Sequence, residues 1–267
     1  GGVHTFSNFE NTENGRSFTV KEALHKSNNL AFIRIMRDVV SYTLYQKMGV
    51  DPNIYTDTQS EARRDYLERF ADKEGTTFLF RAWQQQRGKT LAETADILAG
   101  QLRTKGPLQL AVVHRSLYPD ATLDDMSGFI RKHCQTCAPG ADFTRYYNDH
   151  APGKFDLNDR AYLTRLHPLA LWLASHRAQN PETTWSEAVA ASADTRQEVY
   201  QWLFKSNSTQ GQNNRIRTML ENEAFTHIHA EWKSKGFPFE RMTASYASAI
   251  GSSGDTPAAL ATLAGII

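Results

Sequence analysis

Cysteine is almost missing from this chain: among 267 residues only Cys134 and Cys137 carry a thiol. One Cys-x-x-Cys supplies at most half of a zinc site, and no second Cys-x-x-Cys or His-x-x-x-His stands elsewhere to complete it. A redox motif wants a strand before it and a helix after it, whereas Ala138-Pro139-Gly140 follows here. A small disulfide or two idle thiols remain, and neither selects a compartment. Long apolar runs are also lacking. None approaches the ~18 residues that would span a bilayer, so no membrane segment is expected in this chain, and Gly1-Gly2-Val3-His4 does not open a signal peptide. Charge of one sign is lacking too: the formal net charge is +1, which gives no electrostatic case for nucleic acid or anionic lipid. Strand signals are few, with no hairpin dipeptide between alternating apolar runs. No solenoid repeat and no low-complexity segment breaks the pattern.

What is present is enough apolar material to build a core. Hydrophobic residues make up 40% of the chain and charged ones 22%, which argues against global disorder. Helix signals dominate. Thr19-Val20-Lys21-Glu22 reads as a capping box, in which hydroxyl and carboxylate each satisfy an orphan backbone N–H. Thr90-Leu91-Ala92-Glu93 and Thr184-Trp185-Ser186-Glu187 repeat it. Leu30, Ile33, Met36, Val40, Thr43 and Leu44 fall on one helical face, as do Ile216, Met219, Leu220, Ala224, Ile228 and Trp232. Further helices are expected near 57–72, 76–87, 107–117, 122–134, 157–178 and 192–205. The fold expected is therefore mainly α and multi-helical.

Two stretches carry chemistry. In Phe18-Thr-Val-Lys-Glu-Ala-Leu-His-Lys-Ser27-Asn28-Asn29-Leu30-Ala31 a helix begins at Thr19, Ser27-x-Asn29 interrupts it, and a second apolar helix follows. By itself Ser-x-Asn is a common doublet whose plainest reading is a helix N-cap. Its flanks say more. Asn8-Phe9, Gly15, Phe18-Thr19, Ala23-Leu24 and Ser27-x-Asn29 resemble, in order and in spacing, the second active-site motif of penicillin-binding proteins. The closest likeness is to the bifunctional peptidoglycan glycosyltransferase–transpeptidases. The second stretch is Gly236-Phe-Pro-Phe239, then Thr243 through Gly251-Ser-Ser-Gly-Asp-Thr256-Pro257-Ala-Ala-Leu260. It is similar to the segment before the same family's third motif, and Thr256-Pro257 suits an N-cap followed by proline at the first helical position.

The departures matter equally. No lysine here has a serine three places before it, so the Ser-x-x-Lys nucleophile motif is absent, and so is Lys-Thr-Gly. Gly88-Lys89-Thr90 has the wrong order, and Trp83 occupies the place of the glycine that a phosphate loop would need. The resemblance thus implies a fragment whose nucleophile and Lys-Thr-Gly strand lie outside it. In that reading 1–48 and 236–267 are parts of a transpeptidase helical region, and 49–235 is a helical insertion longer than the family's usual spacing allows. The implied activity of the parent is serine acyl transfer cross-linking peptidoglycan stem peptides, with β-lactams as inhibitors, no cofactor and no metal. The chain alone would be inactive. By the same resemblance Ser27 relays a proton between the lysine and the leaving group, and Asn29 orients the donor peptide. The implied location is the periplasmic face of a bacterial inner membrane, anchored outside this chain. The competing expectation is a helical protein–protein interaction module of the cell wall, its motif-like turns being simple caps.

Other candidates rank lower. His227 and His229 cannot both face one way on a helix, so they make a poor metal pair. Tyr146 and Tyr147, beside Arg145 and His150, suit a helix–helix contact better than a stacking platform. Trp172, Trp185, Trp202 and Trp232 are expected in the core, and Arg34, Arg37, Arg215 and Arg217 on solvated faces.

Overall fold

The computed structural model describes residues 5–8, 11–205 and 208–265. Among them are fourteen α-helices and no strand, so the fold is mainly α and multi-helical. In chain order these are α1 (Val20–His25), α2 (Asn29–Tyr42), α3 (Glu61–Gln86), α4 (Leu91–Gln101), α5 (Pro107–Leu117), α6 (Leu123–His133) and α7 (Phe143–Asp149). There follow α8 (Leu157–Thr164), α9 (Pro168–Gln179), α10 (Trp185–Ala191), α11 (Ala193–Val199), α12 (Gln201–Lys205), α13 (Thr209–Lys233) and α14 (Pro257–Gly265). No helix of the described residues is long and apolar enough to cross a membrane.

The starts of these helices follow local chemistry. Thr19, Thr90 and Thr184 each accept from the N3 backbone while the N3 glutamate answers back, so all three expected capping boxes form. A fourth, unanticipated, pairs Thr122 with Asp125 at the start of α6. Pro107, Pro168 and Pro257 occupy the first position of α5, α9 and α14, where a missing N–H loses nothing.

The chain divides into two compact units. The first gathers the described residues of Gly1–Leu67 and Asn207–Ile267; the second is Glu68–Ser206. These limits fall inside the 49–235 stretch of the sequence-based partition. In the first unit, α2 buries Ile33, Met36 and Val40 and runs on as a π-helical turn, Thr43–Lys47, that buries Leu44. This stripe packs against α13, which buries Ile216, Met219, Leu220, Ala224 and Ile228. A 3-10 turn, Tyr246–Ile250, lies along α2. Arg63 is 2% exposed. Its guanidinium donates to Ile54 O at 3.0 Å, Asn213 Oδ1 at 2.6 Å and Gln212 Oε1 at 2.7 Å, which fixes the first turn of α3 to α13.

In the second unit α5 is the hub. Every residue from Leu110 to Leu117 is buried, and α4, α6, α7, α8 and α9 pack around it. A helix covered on all sides needs no polar face. Some expected boundaries differ, among them that of the helix expected over 192–205, which is two, α11 and α12. The spacing predicts a break near 73–75, yet α3 runs through it, because Gly75 leaves room for a neighbour. A Cβ there would stand 2.9 Å from Arg196 Cδ. Arg196, 5% exposed, is held by Asp72 Oδ1 at 2.7 and 2.9 Å, by Val189 O and by the Ser192 hydroxyl. Conversely, the single helix expected over 157–178 is two. Arg165 caps α8 at φ 59°, and Pro168 forces the residue before it, His167, into an extended conformation.

Candidate functional site

The junction of α1 and α2 holds Ser27 and Asn29. The chain leaves α1 through a Schellman turn: Ser27 N–H donates to Leu24 O at 3.0 Å and Asn28 N–H to Ala23 O at 2.8 Å. That motif requires a left-handed residue just past the helix end, a place usually taken by glycine. Here it is Ser27, at φ 53°. A Cβ in this region costs about 1–2 kcal/mol, and such conformations persist where the surroundings enforce them, commonly at functional sites.

The cap of α2 is not Ser27 but Asn28, 3% exposed, whose Oδ1 accepts from Ala31 N–H at 3.0 Å. A second asparagine joins it. Asn8, 6% exposed, accepts from Leu30 N–H at 3.0 Å and donates its own Nδ2 to Asn14 Oδ1 at 3.1 Å. Two of the helix's orphan N–H groups are thus met by two side chains from different segments. Glu13 stands between them: one carboxylate oxygen lies 3.3 Å from Lys26 Nζ, and the other accepts from Asn28 Nδ2 at 3.4 Å. The Lys26 ammonium also sits 5.1 Å from the Phe18 ring centre. Asn29, first residue of α2 and half-buried, reaches the Ser7 carbonyl with Nδ2 at 3.5 Å. The Ser27 side chain is exposed, and its hydroxyl makes no hydrogen bond among the described residues. The residue types at Ser27 and Asn29 are those singled out by the motif; Asn8 as a cap and Asn28 between them were not. Phe9, also part of the motif, lies outside the described residues.

The second stretch is tightly tied within itself. Phe239 is 3% exposed and its carbonyl lies 2.8 Å from His229 Nε2. The Asp255 carboxylate accepts from Glu240 N–H and Thr256 N–H, which lowers its pKa. Ser253 and Ser248 fasten Thr243. Tyr246 donates to Glu221 Oε1 at 2.7 Å, and the Arg37 guanidinium lies 6.0 Å from the centre of its ring. Burial first, and then the Glu221 carboxylate, push the Tyr246 phenol well up. Tyr55, beside Arg217, is raised to about 12, mainly by burial. The Thr256 hydroxyl accepts from Ala259 N–H at the start of α14, as the Thr-Pro pair suggests. No residue of α14 is buried.

Cys134 and Cys137 are joined by a disulfide just past α6. No group of three or more His, Cys, Asp or Glu side chains among the described residues is placed to hold a metal. The Tyr147 hydroxyl donates to Ala121 O at 2.9 Å, with Arg115 stacked 4.2 Å from its ring, so this pair pins α7 to α5. Trp202, expected in the core, is 53% exposed, because the short α12 does not turn that face inward. His114, 4% exposed between the rings of Tyr118 and Phe129, is held down at about 4 by burial. No protein-family model, no curated protein and no solved structure matches this chain.

Proposed function

We propose that this chain is part of a penicillin-binding DD-transpeptidase that cross-links peptidoglycan stem peptides by serine acyl transfer at the periplasmic face of a bacterial inner membrane. The observation that carries the reading is the state of Ser27. It is a non-glycine residue in a left-handed conformation, and its exposed hydroxyl is spared from capping because Asn28 and Asn8 do that work. A serine retained where glycine would be more stable, with its oxygen free, suits a group that must face another molecule. The order of the two motif-like stretches supports the same reading, as does the packing of Tyr246–Ile250 along α2.

In this mechanism a catalytic serine, supplied by polypeptide other than these 267 residues, attacks the carbonyl of the terminal D-Ala–D-Ala bond. A lysine near it takes the proton, and D-Ala departs as the amine. Ser27 Oγ passes the proton from lysine to leaving group. The Asn29 carboxamide donates to the donor peptide's backbone and steadies the lysine. Stem peptides and β-lactams are ligands of the whole enzyme, and this chain alone performs no acyl transfer.

The test has two arms. Incubated with a fluorescent penicillin, the 267-residue chain should take no covalent label; an acyl-serine within residues 1–267 would overturn the assignment. In an intact enzyme carrying this segment, Ser27→Ala should slow acylation by orders of magnitude, and a near-wild-type rate refutes the relay.

A further inference from the structure

Ser7, Asn8 and Glu13 hold Lys26, Asn28, Asn29 and Leu30, the residues around Ser27, while the Ser27 hydroxyl makes no hydrogen bond among the described residues. Asn8 takes the Leu30 N–H. Glu13 takes the Lys26 ammonium and the Asn28 carboxamide. The Ser7 carbonyl takes the Asn29 carboxamide. These partners lie 13 residues away in sequence at the ion pair and 15 to 22 at the hydrogen bonds, so they are not part of the local helix–turn–helix pattern. An isolated Schellman turn with serine at its left-handed position would relax toward conformations without the Cβ penalty. A turn clamped on both sides cannot. Of Ser7, Asn8, Glu13 and Asn14, Asn8 alone is buried. Its carboxamide uses both its donor and its acceptor, and Asn14 fixes which end faces Leu30.

From this geometry we infer that Asn8 is the positioning residue of the site: its side chain holds the entry of α2 so that Ser27 stays left-handed with its hydroxyl presented outward. The inference deepens the transpeptidase reading and rests on it for the purpose of Ser27, but the clamp itself is a property of this chain. Asn8 touches no reacting group. It acts through Leu30 and the backbone of the junction, which distinguishes it from Ser27 and Asn29.

The experiment uses the full chain and needs no acyl transfer. In Asn8→Ala, exchange of the Leu30 amide should accelerate about tenfold, as a lost local hydrogen bond allows. The Cα and Cβ resonances of Ser27 should move away from left-handed values, while the Ala31 amide, bonded to Asn28, stays protected. Asn8→Asp keeps the acceptor oxygen but loses the donor to Asn14, so it should restore both signals to the level of Asn14→Ala. Asn14→Ala, at an exposed position, loosens the Asn8 carboxamide without opening the buried site; it should give the same changes at smaller size, so a chain that fails to fold with alanine at position 8 still leaves a readable variant. If Asn8→Ala or Asn14→Ala lowers thermal stability while the Ser27 resonances stay put, Asn8 is only a packed polar group and the inference is wrong. Failure of Asn8→Asp to rescue has the same meaning. Neither result touches the relay role of Ser27, which stands or falls on acylation.

Discussion

A seryl Cβ at φ 53° crowds the following carbonyl, and glycine removes the crowding. Ser27→Gly should therefore raise stability by about 1 kcal/mol, seen as an upward shift in melting temperature, although it deletes a hydroxyl. A destabilised glycine variant would mean that the side chain does structural work at the junction, contrary to its free position. The gain would mark Ser27 as a residue kept at the expense of stability, a pattern common where activity constrains sequence. The break between two helices at Ser27-x-Asn29 was legible in one short stretch, but it was the resemblance of the flanks, not the doublet, that singled out Ser27 and Asn29. Asn8 was legible only as a member of the motif. Its action depends on a bond to Leu30, 22 positions away, and nothing in a linear reading shows which of several asparagines will be buried against that amide.

At the level of single elements, local chemistry explains helix starts better than helix ends. Three threonine–glutamate boxes announce themselves in the sequence; the Thr122–Asp125 box escapes because aspartate stands where glutamate or glutamine is the familiar partner. The hydroxyl at Thr122 nonetheless accepts from the Asp125 N–H at 3.2 Å, and Asp125 Oδ2 accepts from the Thr122 N–H at 3.0 Å. Thr122→Ala should cost about 1 kcal/mol, measurable as an earlier urea midpoint with unchanged slope. Loss of less than a few tenths would show the box to be idle. The continuity of α3 was hidden for a different reason. Gly75 falls in the gap between the helices expected over 57–72 and 76–87, and only the tertiary position of Arg196 explains why a residue without Cβ is required inside that helix. Propensity lost to packing there.

Across the whole molecule, the mainly α architecture was readable because apolar periodicity and caps agree over long windows. The limits of the two compact units were not, since they depend on which helices meet. Acid response belongs at this scale too. His114 and His167 are both held at about 4, chiefly by burial, against an ordinary value of 6.5. Between these values the unfolded chain binds protons that the folded chain refuses, so acid favours unfolding. The stability present at pH 7 should decline as pH falls from roughly 6.5 toward 4. His114→Gln should flatten that decline in urea titrations at several pH values. An equally steep decline in the variant would place the acid sensitivity elsewhere.

The first unit is discontinuous: α2 finds its cover in α13 and in Tyr246–Ile250, far along the chain. During synthesis the ribosome must therefore deliver all of Glu68–Ser206 before the stripe of Ile33, Met36 and Val40 can be shielded from water. The second unit, contiguous in sequence, can collapse while the first still waits, so α2, made before it, finds its final partners after it. A nascent chain stopped short of α13 would carry that apolar stripe bare, open to chaperones and to other half-made copies.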